Sequence, residues 1–135
     1  MKGVARLRPW IIALFLLIAI SLGAFGQISL KHGMKQFGSL GPPGVTLVVN
    51  VIRSILTPYV LLGLALYAIS SCFWLVVLSS WNLSYAYPMI AISYVLVVLL
   101  SRVFFREHVM PLQWLGIAFM CTGLVLVARF GTSTG

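Results

Sequence analysis

Four runs of about twenty mostly apolar residues follow one another in this 135-residue chain, and each is long enough for a helix to cross the hydrocarbon core of a bilayer. They fall at about residues 10–32, 59–80, 83–104 and 112–127. Such runs bury poorly in water and leave no length for a second kind of domain. The sequence therefore reads as an all-α, four-transmembrane-helix bundle in one unit over residues 1–135, with no extramembrane domain of useful size. Composition agrees: 61% of residues are hydrophobic and only 7% charged, against about 25% charged in ordinary soluble domains.

The formal net charge of +8 comes from nine Lys and Arg set against a single acid, Glu107. Basic residues at span ends and loops are the usual dressing of a multi-pass membrane protein, so nucleic acid is not expected as a partner. Cys72 and Cys121 lie inside apolar runs, where free cysteine behaves as a small hydrophobe. Neither a disulfide framework nor a metal or cofactor site is indicated.

Lys2, Arg6 and Arg8 followed by an apolar run imitate a secretory signal, but the apolar character continues to Leu30, which favours a retained first span. That span closes at Lys31, His32 and Lys35, and Gly38 to Gly44 (GSLGPPG) forms a turn. Residues 45–56 are too few to cross the membrane. Val45, Val48, Val49, Ile52 and Leu56 share one helical face and Thr46, Asn50, Arg53 and Thr57 the other, the pattern of a short amphipathic helix lying in the interface. A bent continuation into the second span is the alternative. Ser79 to Asn82 is an uncharged tight turn, Arg102, Arg106, Glu107 and His108 form the next loop, and Pro111 suits the first turn of the fourth span.

Four spans put Lys2, Arg6, Arg8 and Arg129 on one side and Lys31, Lys35, Arg53, Arg102 and Arg106 on the other. Orientation follows the excess of Lys and Arg, and here the two sides nearly balance. A dual-topology antiparallel dimer and a weakly biased fixed topology both show such a balance.

No span centre holds Asp or Glu, whereas a proton-coupled carrier of organic cations needs a buried carboxylate there. No nucleophile stands with a paired base at a hydrolase spacing, so an enzyme is not expected. Gly23, Gln27 and Lys31 are successive steps of four on one helical face, with Gly26 beside them. Exposing this amide and ammonium to lipid would cost several kcal/mol per group. In one reading Lys31 snorkels and Gln27 bonds a neighbouring helix. In the other the stripe lines a cavity and Lys31 meets an anionic substrate as a point charge.

In the third span Pro88 is expected to disturb the helix near Ser84. Tyr87 and Tyr94, seven apart, share a face, and Tyr94 is the deeper of the two. Gly116 and Gly123 make a smooth stripe on the fourth span suited to close helix packing. Lys31, Arg102, Arg106 and Glu107 share one side of the membrane and can meet at a single mouth, where Glu107 pairs with Lys31.

The stretches Gly23 to Met34 and Phe73 to Arg129 resemble the drug/metabolite transporter superfamily in its EamA-like, single-unit branch. The motifs that carry this are Gly26, Gln27 and Lys31, Ala86-Tyr87-Pro88, and Glu107 to Gly116 leading on to Gly123. Within that branch the chain is most similar to the small subunits of aminoarabinose-phosphoundecaprenol flippases, and less so to the small multidrug resistance exporters. The similarity omits residues 38–57. It implies a small-multidrug-resistance-like fold, a helix carrying Gly116 and Gly123 that packs units together, and Glu107 as the loop glutamate of the superfamily pattern. The embedded glutamate of the multidrug exporters falls near Gly23 here, which counts against cationic drug export.

The expected function is thus a bacterial inner-membrane transporter subunit that flips a polyprenyl-phosphate-linked sugar or related anionic lipid, as a homodimer or as a heterodimer with a similar small subunit. Lys31 and Arg102 are the expected phosphate contacts, Gln27, Tyr87 and Tyr94 the headgroup contacts, and Pro88 a hinge. A small-molecule or multidrug exporter, and a non-transporting partner of a lipid-modifying enzyme, are the alternatives.

Overall fold

A computed structural model describes residues 8–131, so Lys2, Arg6 and the end of the polar tail lie outside the described residues. Six helices follow in order: α1 (Pro9–Phe37), α2 (Val45–Ile55), α3 (Pro58–Ser80), α4 (Leu83–Met89), α5 (Ala91–Phe105) and α6 (Pro111–Phe130). Among the described residues there is no strand. The helices α1, α3 and α6, and α4 with α5 taken together, are long and apolar enough to cross a membrane.

α1 runs 29 residues, about 43 Å, and so outreaches a hydrocarbon core of about 30 Å. It passes Lys31, His32 and Lys35 without a break and ends only at Gly38, whose φ of 87° the other residue types rarely adopt. The charged residues mark where the helix leaves the apolar layer, not where it stops. α2 occupies the expected position, with Val45, Val48, Ile52 and Leu56 exposed, while Asn50 on its polar face donates to the Leu40 carbonyl at 3.0 Å. Leu56 and Thr57 separate it from Pro58 at the start of α3, so α2 is no simple continuation of that span.

The third span is broken, but not at Ser84. Tyr85 and Ala86 bond the Asn82 carbonyl normally in the first turn of α4, and the irregularity falls after Pro88. There Ile90 donates to Tyr87 at 3.0 Å and Ser93 to Ile90 at 2.8 Å, three-residue spacings that tighten the chain between α4 and α5. Because α4 begins only at Leu83, the turn before Pro88 is a helix start, and the strain is relieved on the far side of the ring.

The closest packing joins α1 to α3 through glycine. A Cβ on Gly63 would stand 2.7 Å from the Gly26 carbonyl oxygen and 2.9 Å from the Leu30 nitrogen, so the two backbones touch. Gly33 sits equally tightly on Val60. Apolar side chains cannot drive helices together in lipid, and such close approach supplies van der Waals contact instead. Ser70 adds a buried bond between the helices, donating to the Ala19 carbonyl at 2.7 Å. Ile12, Leu16, Ile20, Val77, Ala86 and Met89 form the buried cluster beside this seam. α6 touches α4 and α5 and buries none of its residues.

Gly63→Ala should therefore lower the thermal stability of the detergent-solubilised protein by about 1–3 kcal/mol, an overpacking cost. Gly116→Ala, where nothing lies within 4 Å of the added carbon, should leave the chain's own packing unchanged. A G63A protein as heat-stable as wild type would contradict the backbone contact.

Candidate functional site

The glycine seam brings α1 close to α3 at Gly26, and a cavity of about 160 Å3 opens next to it. Ala19, Gly23 and Gln27 line it from α1, and Tyr67, Ser70, Ser71 and Trp74 from α3. Ile90 and Ser93, at the break after Pro88, close the third side. Gly23 is midway along α1, so the cavity lies at the middle of the longest span. Its polar groups are all neutral, since the chain's one acid is elsewhere. Three serine hydroxyls donate to carbonyl oxygens: Ser70 to Ala19 at 2.7 Å, Ser71 to Tyr67 at 2.9 Å and Ser93 to Ile90 at 2.6 Å.

Of the residues singled out in the sequence, Gln27 lines this cavity, and Lys31, Tyr87, Tyr94 and Arg102 do not. Lys31 stands one helical turn, about 6 Å, farther along the same face of α1. Its ammonium pairs with the Glu107 carboxylate and lies 5.2 Å from the centre of the Phe105 ring, with Lys35 at 4.6 Å from the same ring. Arg106, the only non-glycine residue with positive φ among those described, ends α5 in the left-handed conformation and leads directly into Glu107. Arg102 lies on the last turn of α5, its guanidinium 5.9 Å from the Trp114 ring of α6.

The break at Ile90 separates Tyr87 from Tyr94, so their seven-residue spacing does not place them on one continuous helix. Tyr87 meets Trp74 edge-on at 5.9 Å, which ties it to the cavity wall indirectly. Tyr94, near the middle of the span from Leu83 to Phe105, is 61% exposed and faces out of the bundle. Gly116 and Gly123 have nothing within 4 Å and lie on the open surface of α6. Reading the sequence did not single out Tyr67, Ser70, Ser71, Trp74 or Ser93. The first four follow a spacing of three, four and seven, one face of a helix, and that was the available signal.

Four spans, three of which line a neutral cavity halfway along the longest helix, define a small multi-pass membrane protein with room for a ligand between its helices. The chain is 31% identical over 116 residues to a protein of Pseudomonas savastanoi pv. phaseolicola, covering 86% of this chain and 96% of that protein. It is 28% identical over 116 residues to one of Pseudomonas fluorescens and 31% over 117 residues to one of Proteus mirabilis, each with the same coverage. All three are described as a "probable 4-amino-4-deoxy-L-arabinose-phosphoundecaprenol flippase subunit ArnE". No family model matches the chain, and no solved structure matches it. The chain belongs to the ArnE family of flippase subunits, which are transport proteins and not enzymes.

The hydrogen bond from Lys31 holds the Glu107 carboxyl below the ordinary carboxylate value, against a partial desolvation that would raise it; the charges of Lys31 and Lys35 add to the lowering. A depressed folded-state value means the pair stabilises the fold above the unfolded carboxylate pKa of about 4.3, and that contribution is lost as pH falls through the lowered value. Glu107→Gln should accordingly reduce heat stability near neutral pH and converge with wild type only as pH falls below the lowered carboxyl value. The check is thermal unfolding of both proteins across that range, with pH-independent curves as the contrary result.

Proposed function

We propose that the chain is one subunit of a flippase that carries a polyprenyl-phosphate-linked sugar, the kind of substrate in its relatives' names, across the bacterial inner membrane. The observation that carries this reading is the neutral cavity midway along α1 with Lys31 one turn beyond it on the same face. A sugar phosphate has a polar ring and an anionic group a few ångströms apart, and a cavity beside an ammonium complements that order. Lys31, with Arg102 nearer α6, takes the phosphate as a point charge. Gln27 contacts the headgroup in the cavity, and Tyr87 and Tyr94 contact it along its route. The polyprenyl tail stays in the lipid, so only the headgroup needs a path through the protein.

Alternating access requires a joint and a partner. Pro88 and the tightened turn at Ile90 form the joint, and the Lys31–Glu107 pair gates the mouth. The open face of α6, with Gly116 and Gly123, takes a second small subunit, either a copy of this chain or a similar one. The absence of any acid in the spans argues against export of cationic drugs.

In vesicles, the protein with whatever subunit co-purifies should move a fluorescent polyprenyl-phosphate pentose between leaflets, and Lys31→Ala should slow this about tenfold or more by removing a charged contact. Persistent failure of wild type to move the lipid would favour the role of a non-transporting partner of a lipid-modifying enzyme. Gly116→Leu with Gly123→Leu should weaken subunit association in native mass spectrometry; an unchanged oligomer would remove α6 from the interface.

A further inference from the structure

The cavity's serines differ from free hydroxyls in one respect. A carbonyl oxygen has no proton to give, so at 2.7, 2.9 and 2.6 Å it is Ser70, Ser71 and Ser93 that donate to Ala19, Tyr67 and Ile90. Each hydroxyl hydrogen is thereby committed to backbone, and what remains on each oxygen is lone-pair capacity. Gln27 adds a carbonyl oxygen among the lining groups, beside its own amide donor. Three serines from two different elements thus turn acceptors toward one small space, and no carboxylate joins them. Tyr67 and Trp74 supply aromatic surface between the acceptors, and their O–H and N–H are, with the Gln27 amide, the donors the lining residues carry.

We propose that this cavity is the glycosyl subsite, an acceptor-lined pocket that selects a donor-rich ring by its O–H and N–H groups and not by charge. The inference rests on the flippase reading above and assigns the part of the substrate that enters the cavity. A volume of about 160 Å3 is close to the roughly 150 Å3 of a cavity that admits one benzene-sized ring, on the scale of one monosaccharide and far below a polyprenyl chain. A sugar brings several hydroxyl donors on one side and C–H surface for the aromatic rings on another. A ligand that offers only acceptors leaves the serine lone pairs facing its own and forgoes the hydrogen bonds that a donor-rich ring makes there. A bare phosphate gains nothing from the serines and binds through the basic groups outside the pocket, Lys31 and Arg102.

The test uses the full chain in nanodiscs and three probes: short-chain polyprenyl phosphate, the same lipid carrying an unprotected pentose, and that lipid with its pentose hydroxyls methylated. Wild type should bind the unprotected glycolipid about tenfold or more tighter than the other two, which should bind alike. Ser71→Ala with Ser93→Ala should erase most of that preference and leave the affinity for polyprenyl phosphate unchanged. Both serines bond only within their own span segment, so alanine keeps the helices; Ser71→Ala alone serves if the pair is unstable. Ser70 is left in place because it ties α1 to α3. Equal binding of methylated and unprotected glycolipid by wild type, or a variant that loses both lipids equally, would overturn the glycosyl subsite. Failure of wild type to bind any of the three would instead overturn the flippase reading beneath it.

Discussion

The approach of α1 to α3 across Gly26 and Gly63 is the constraint on which the remaining structure depends. Two helix backbones in contact gain dispersion energy that lipid cannot match, and they place the Ser70 hydroxyl within reach of the Ala19 carbonyl. That bond is between helices, unlike the bonds of Ser71 and Ser93. The small residues that permit the contact also leave room beside it. Gly23 and Ala24 line the cavity because they lack bulk, so the seam and the site are two consequences of one run of small side chains on α1.

Charge is distributed to suit this arrangement. The spans keep neutral polar groups at their centres, while the chain's lone acid sits at a helix end beside the ammonium it neutralises. Lys31 and Glu107 are both about two-fifths exposed, so their attraction is screened and the pair is weakly held. A weak pair suits a mouth that opens; a deeply buried one would resist separation. Phe105 supports the two lysines by its ring face and keeps both ammonium groups near the end of α5 without a second carboxylate.

Hydropathy made the four spans and the short helix between the first two legible, because span length is set by the bilayer and not by the details of packing. The true end of α1 was not legible from Lys31 to Lys35, since charge reports where a helix meets water and only Gly38 reports where its backbone stops. Pro88 signalled a break but not its side, which depended on where α4 begins. Gln27 was identifiable as an amide stranded in an apolar stripe. Ser70, Ser71 and Ser93 were not, because serine is common in membrane helices and its role depends on which carbonyl takes its proton. Arg102 was grouped with Lys31 by membrane side alone, and membrane side leaves open the direction a side chain takes around its helix, here toward Trp114.

α6 buries none of its residues and is joined to the bundle only along α4 and α5. Its place in the membrane therefore derives from the transfer of its side chains into lipid more than from helix packing, which separates its energetics from those of α1 and α3. A fault in α1 or α3 acts on the assembled bundle. A charge placed at the centre of α6 acts earlier, because it costs about 2.5–3.5 kcal/mol when the segment partitions from the translocon into the bilayer, before any helix has packed.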